Sequence, residues 1–221
     1  MKFFLIISTI GLVLLSCISI PTENYVLEKQ ILNTKASTKT LKILIFDDLR
    51  SGENYDYTPL SLIPFFISAK ATLNFPEADT FTIINPIKYY IADILKKELS
   101  NQYQFKKTYL SEDSSILEDF NLSGKIFKYT CYRSTSTYGL GAFGIITWYF
   151  GAPIFKNECE VNIEIISKNK AGSIILNKIY TENEVSYVGF YYNITSPAEV
   201  HPNLMKKLMK RILADFQEII K

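Results

Sequence analysis

Residues 158–167 read ECEVNIEIIS. Cys159, Val161, Ile163 and Ile165 alternate there with Glu158, Glu160, Asn162 and Glu164. A period of two places the first set on one face of a strand and the second on the other, so one face is buried and the other wet. Asn169-Lys170-Ala171-Gly172 supplies a turn, and residues 173–180 (SIILNKIY) return, which predicts a hairpin. Alternation also runs through 120–133, from Leu122 through Gly124, Ile126, Phe127, Tyr129 and Cys131. Residues 41–48 (LKILIFDD) read as the first strand, ending on Asp47 and Asp48. TFTII at 80–84 and FKKTYL at 105–110 read as shorter extended segments, and the rest of 55–84, with Pro59, Pro64 and Pro76, takes no clear assignment.

The period changes twice. Ile87, Tyr90, Ile91, Ile94, Leu95 and Leu99 recur at helical spacing behind Asn85-Pro86. Asn as cap and Pro in the first turn predict a helix over about 86–100, docked on one side. Near the end of the chain, Leu204, Leu208, Ile212, Phe216, Ile219 and Ile220 form an apolar stripe that Met205, Met209 and Leu213 widen. Pro202 is read as the start of that helix, with Lys206, Lys207, Lys210 and Arg211 facing outward. The order predicts an α+β domain over 41–221: an antiparallel-rich or mixed sheet packed against two main helices in two layers.

The first residues have a different character. Lys2 precedes an apolar run of 13 residues, Phe3 to Leu15. A spanning helix takes about 17–25 apolar residues, so this run fits an export signal better than a span. The sequence Leu14-Leu15-Ser16-Cys17 follows directly and resembles the lipobox of bacterial lipoproteins. The resemblance implies a signal peptide over 1–16, lipidation of Cys17 and attachment to a bilayer, with 17–40 as a tether that holds at most a short element. Ile18 follows Cys17 where some enteric bacteria place an inner-membrane retention Asp, which points to the outer membrane. The order of elements is similar to that of small envelope lipoproteins of diderm bacteria, including transport-auxiliary and assembly lipoproteins. The Lys-, Ile- and Asn-rich style also resembles spirochaete lipoproteins.

Charge narrows the classes further. The 24 basic and 22 acidic residues leave a net charge of +2, no basis for nucleic-acid affinity. Cys131 and Cys159 stand on two strand candidates, and a disulfide between them and two separately buried thiols are both open readings. No CxxC is present, so neither a redox centre nor a cysteine zinc site is expected. His201 is the only histidine and is read as a surface or helix-entry residue. Asp47 and Asp48 are read as solvated turn acids, with a hydrolase built on either as a minor alternative. No cofactor, no metal and no enzymatic activity are expected.

One segment stands apart. Residues 134–155 (STSTYGLGAFGIITWYFGAPIF) contain no charge. GLGAFG lacks the spacing of a dinucleotide loop and the GK[ST] of a phosphate loop, and no helix is expected after it. Three readings compete: a buried crossover or a loop folded over the sheet edge, an apolar patch for a protein partner, and insertion into one layer of a membrane. Tyr138, Leu140, Phe143, Trp148, Tyr149 and Phe150 are the candidate contact residues. The functional expectation is a non-enzymatic accessory, assembly or binding component of the envelope, with the bilayer and an envelope protein as partners. A surface-exposed adhesin or ligand-binding module is the alternative.

Overall fold

A computed structural model describes residues 25–27, 38–51, 55–56, 63–65, 68–74, 86–193 and 196–220. The signal over 1–16, Cys17, the extended segment at 80–84 and the Asn85 cap lie outside the described residues.

The elements follow in the order β1 (Thr40–Leu44), β2 (Asp47–Asp48), β3 (Tyr55–Asp56), β4 (Ser68–Asn74), α1 (Ile87–Tyr103), β5 (Lys107–Ser111) and β6 (Phe120–Ser136). A single 3-10 turn at Gly141–Phe143 leads into α2 (Gly144–Tyr149), then β7 (Phe155–Asn169), β8 (Ile174–Val188) and α3 (Ser196–Ile220). The fold is α+β, an eight-stranded mixed sheet packed against helices in two layers.

β6 is the trunk of the sheet. One edge carries antiparallel β7 along nearly its whole length, Phe120 opposite Asn169 and Thr135 opposite Phe155. β8 continues antiparallel on the far side of β7. The other edge of β6 is divided. Its first part runs parallel to β1 and β2, and its second part runs antiparallel to β4. β5 extends the sheet parallel to β1, and β3 pairs with β4.

The alternation read from 158–167 maps onto burial. Cys159, Val161, Ile163 and Ile165 are buried, whereas Glu158, Glu160 and Glu164 pair with Lys156, Lys128 and Lys125. β6 is less regular. Its register against β7 shifts between Ile126 and Lys128, and Phe127 is exposed at the irregularity. One extra residue on one strand exchanges the faces beyond it. Leu122 and Ile126 are buried before the bulge, and Tyr129 is buried after it. Without the bulge Tyr129 and Cys131 would face away from the helices.

Both helices bury their stripes on this face. Ile87, Ile91, Leu95 and Leu99 of α1 and Leu204, Leu208, Ile212 and Phe216 of α3 join Leu41, Ile43, Leu122, Val161 and Ile163 in one core. Tyr25, within the segment expected as a tether, packs against that core, and its hydroxyl donates to Glu98 Oε1 at 2.6 Å. α3 begins earlier than the sequence predicts and contains Pro202. Proline there lacks the N–H that would bond the carbonyl four residues back. Burial of Val200, Leu204 and Met205 holds the turn despite that loss.

Lys207 and Arg211 face outward as expected, but they are not left to water alone. They ion-pair with Glu184 and Glu182 of β8, and Asp215 accepts hydrogen bonds from Lys178 and Tyr180. The spacing explains the match. Four helical residues advance about 6 Å and two strand residues about 6.7 Å, so successive rungs stay in step. Lys210 is exposed as well.

The ladder makes stability depend on pH. Burial works against ionising Asp215, but hydrogen bonds from Lys178 and Tyr180 and the charges of Lys178 and Arg211 outweigh it and hold the carboxyl low. The Thr40 and Tyr109 hydroxyls depress Glu118, and the Thr40 N–H and hydroxyl depress Asp119. A carboxyl held lower in the folded state stabilises above its unfolded value, about 4, and loses that contribution as pH falls through the folded value. Urea midpoints are therefore expected to be flat between about pH 5 and pH 9 and to fall below about pH 4. Asp215→Asn should make that fall shallower. Equal slopes in the two chains would remove Asp215 from the account.

Candidate functional site

Cys131 and Cys159 face each other directly in the β6–β7 register and are joined in a disulfide, with Cα atoms 4.1 Å apart. So short a separation marks the non-hydrogen-bonded type of antiparallel pair, in which opposed side chains come closest. The bulge at Phe127 puts this pair on the helix side of the sheet, where α3 crosses it.

His201 comes down from the early part of α3 onto the same spot. It is 5% exposed, which corrects the surface position expected from the sequence. Its Nδ1 lies 3.0 Å from the Tyr129 hydroxyl oxygen and its Nε2 3.6 Å from Cys131 Sγ. The imidazole is nearly parallel to the Tyr129 ring, with centroids 5.7 Å apart. One ligand atom from each of Cys131, Cys159 and His201 lies within 4.8 Å of the others. As free thiolates, two sulfurs and an imidazole at that spacing would be a donor set suited to a soft or borderline cation.

This cluster overturns two expectations. A chain with one histidine and no CxxC was expected to hold no cysteine-based centre, and the chain as a whole was expected to be non-enzymatic. A buried set of two cysteines and a histidine with ligand-like geometry contradicts both. A signal existed in the sequence. His201 stands three and four residues before Leu204 and Met205, on the apolar stripe carried back one turn. Starting the helix at Pro202 hid it.

The uncharged segment is the β6–β7 connection and forms a cap at that end of the two strands. Tyr138, Gly139, Gly141 and Gly151 have positive φ, and Tyr138 fixes the loop by donating to Pro153 O at 2.9 Å. Gly144 opens α2 against Thr137, where an added Cβ would fall 2.8 Å from the Thr137 Cα. That approach admits only glycine. Trp148 is half-buried, donates to Ser136 O at 2.7 Å and meets Phe190 edge-on. It anchors the cap.

The other candidates are presented to solvent. Phe150 is 83% exposed, Phe143 74% and Tyr149 66%, with Tyr138 and Leu140 exposed beside them. The segment is therefore not a buried crossover, and a helix does follow GLGAFG against expectation. The sequence reading also left out Ile145 and Ile146, which are exposed on α2, and Phe190 and Tyr191, which extend the patch after β8. Tyr191 touches both Tyr149 and Phe190.

Asp47 and Asp48 form no facing carboxylate pair. They are neighbours on an exposed strand, and Arg50 binds Asp48 through Nε at 2.8 Å and Nη2 at 2.7 Å. Burial opposes ionisation of Asp48, but Arg50 holds the carboxyl below its ordinary value. No helix among the described residues is long and apolar enough to cross a membrane.

No family model matches the chain, and no curated protein does. Solved structures with a related course include the hypothetical protein CT253 from Chlamydia trachomatis, at 7% identity and a TM-score of 0.46, over 83% of this chain and 98% of that one. A putative neuraminyllactose-binding hemagglutinin homolog from Helicobacter pylori aligns at 7% identity and a TM-score of 0.41, over 87% of this chain and 91% of that one. Neither likeness bears on what this chain does.

Proposed function

We propose that the chain is a lipid-anchored envelope component that docks another envelope protein through its uncharged cap. The observation that carries this reading is the exposure of Phe143, Tyr149 and Phe150 on a segment without a single charge. Exposed aromatic clusters of this kind mark contact surfaces, because burying them in a partner removes apolar area from water without stripping a charge. The lipobox-like Leu14-Leu15-Ser16-Cys17 supplies the anchor.

The arrangement favours a protein partner over the anchoring bilayer. Tyr25, eight residues after Cys17, is held on Glu98, so the anchor stands within about 28 Å of that contact. Ring contacts from Tyr103 through Phe105 to Phe120 tie the end of α1 to the start of β6. The cap lies at the opposite end of β6, whose 17 residues reach roughly 50 Å at about 3.3 Å each. A docking tip that far from the point of attachment suits a partner standing off the anchoring surface.

A photoreactive phenylalanine analogue at position 150 of the full chain, illuminated in intact cells, tests this. One dominant protein adduct is expected, lost when Phe143 and Tyr149 are changed to Ser. Such changes at exposed sites should leave stability within about 0.5 kcal/mol. Adducts to lipid alone would replace docking by membrane contact, and no adduct at all would remove the cap from function.

A further inference from the structure

We propose that the Cys131–Cys159 disulfide is the closed state of a metal site, and that its reduction creates a three-ligand centre for a zinc-like cation. The ligands are the two thiolates and His201 Nε2.

The geometry leads to this directly. Zinc binds sulfur at about 2.3 Å and imidazole nitrogen at about 2.0–2.1 Å, so a tetrahedral site sets sulfur and nitrogen about 3.6 Å apart and two sulfurs about 3.8 Å apart. Cys131 Sγ and His201 Nε2 already stand 3.6 Å apart. The cysteines are directly opposed with Cα atoms 4.1 Å apart, so once the S–S bond is cut, small side-chain rotations bring the sulfurs to the remaining edge. No backbone movement is required.

The histidine is also supported as a ligand. With the Nδ1–H tautomer, assigned here from the contact, the ring donates to the Tyr129 hydroxyl oxygen at 3.0 Å and turns the Nε2 lone pair toward the sulfurs. Ligating histidines are held in this way by a partner on their other nitrogen. Tyr129 is fully buried and cannot drift from that position. Three protein ligands leave a fourth position for water or an outside group, the pattern of sites that perform chemistry rather than only bracing a fold.

The chemistry balances with a dithiol as reductant. Its two sulfhydryls become a disulfide as the Cys131–Cys159 bond takes up two electrons and two protons. Cation binding then releases those two protons, because the thiolate is the ligand. The oxidised pair has no thiolate, so the cation and the S–S bond exclude each other.

The test uses the full chain in detergent with Cys17→Ser, leaving Cys131 and Cys159 as its two cysteines. Reduction is by a water-soluble phosphine, which becomes the phosphine oxide with oxygen from water and competes weakly for metal. Cobalt(II) is the probe. The reduced chain should show two thiols, keep its circular dichroism, and bind one cobalt with a thiolate charge-transfer band and tetrahedral visible bands. The oxidised chain should show none of these bands. Tyr129→Phe keeps the ring and should weaken binding roughly 10–100-fold, and His201→Gln should weaken it at least as much. The proposal is overturned if the folded, reduced chain gives no charge-transfer band. It is equally overturned if the thiols appear only on unfolding, or if His201→Gln binds as tightly as the parent. The comparison of oxidised and reduced parent chain tests the thiolate ligands without a change at Cys131, Cys159 or His201.

Discussion

Phe216→Ala is expected to destabilise the domain by about 3–5 kcal/mol. Phe216 is fully buried, four residues after Ile212 on the stripe of α3 that meets the sheet. Its removal costs the transfer of the ring and adds a void. The surroundings cannot close that void easily. Asp215 beside it is held by Lys178 and Tyr180, and Tyr103 donates to Leu213 O at 2.9 Å one turn earlier. Those polar contacts fix the height of the helix above the sheet. Phe150→Ala is the internal control: the same atoms are deleted from an 83% exposed ring, and the change should stay within about 0.5 kcal/mol. Urea titrations of both variants measure the contrast. A loss below about 1 kcal/mol for Phe216→Ala would mean that α3 is not seated on the core as described.

Gly124→Ala is expected to cost roughly 2 kcal/mol although it adds a single methyl group. Alanine in a strand would ordinarily gain about 0.5–1 kcal/mol over glycine through the unfolded chain. Here a Cβ would fall within 2.7 Å of three carbons of the Phe46 ring, and that ring is 2% exposed, packed in the core. Phe46 follows β1 and closes the core where β1 gives way to β2, so moving the ring disturbs strands that pair with β6. The cause is checkable by a double-mutant cycle. Phe46→Leu should itself lose stability but make room, so that adding Gly124→Ala to it costs little. Strict additivity of the two changes would show that the ring is not what forbids the methyl group.

The layers and the main elements were legible because they rest on simple periods. β7 alternates through its whole length over one buried face, and α1 and α3 carry stripes that need no partner to be recognised. The halves of β6 could not be phased from the pattern alone. Leu122 and Ile126 keep one parity and Tyr129 and Cys131 the other, and only pairing with β7 shows that Phe127 separates them. Lys207 and Arg211 are solvated as the pattern implies, but it could not name their partners, Glu182 and Glu184, which sit in a stretch of β8 that is polar on both faces. Binary pattern assigns such residues to water, and commensurate spacing adds the ion pairs.

The Cys131, Cys159 and His201 cluster was hidden for a topological reason. Its members are distant in sequence and meet through one bulge, one strand pairing and two extra turns of helix. The cap was visible as a composition anomaly, but its exposure was not. Both a buried and a presented segment can be uncharged, so composition alone does not choose between them.

The divided edge of β6 carries an entropic consequence. Lys168 pairs with Ile174 across a short turn, whereas Leu41 pairs with Phe120 across most of the chain's middle. Closing the longer loop costs about 2 kcal/mol more, since the cost grows with the logarithm of loop length. Proximity along the chain therefore holds the β7–β8 hairpin, but it does little for β1. What keeps β1 in place is burial of Leu41 and Ile43, each worth about 1.5–3 kcal/mol, which offsets the longer closure. The strand nearest the proposed anchor is thus retained by its side chains, and its attachment to the sheet is only as strong as the core beneath it.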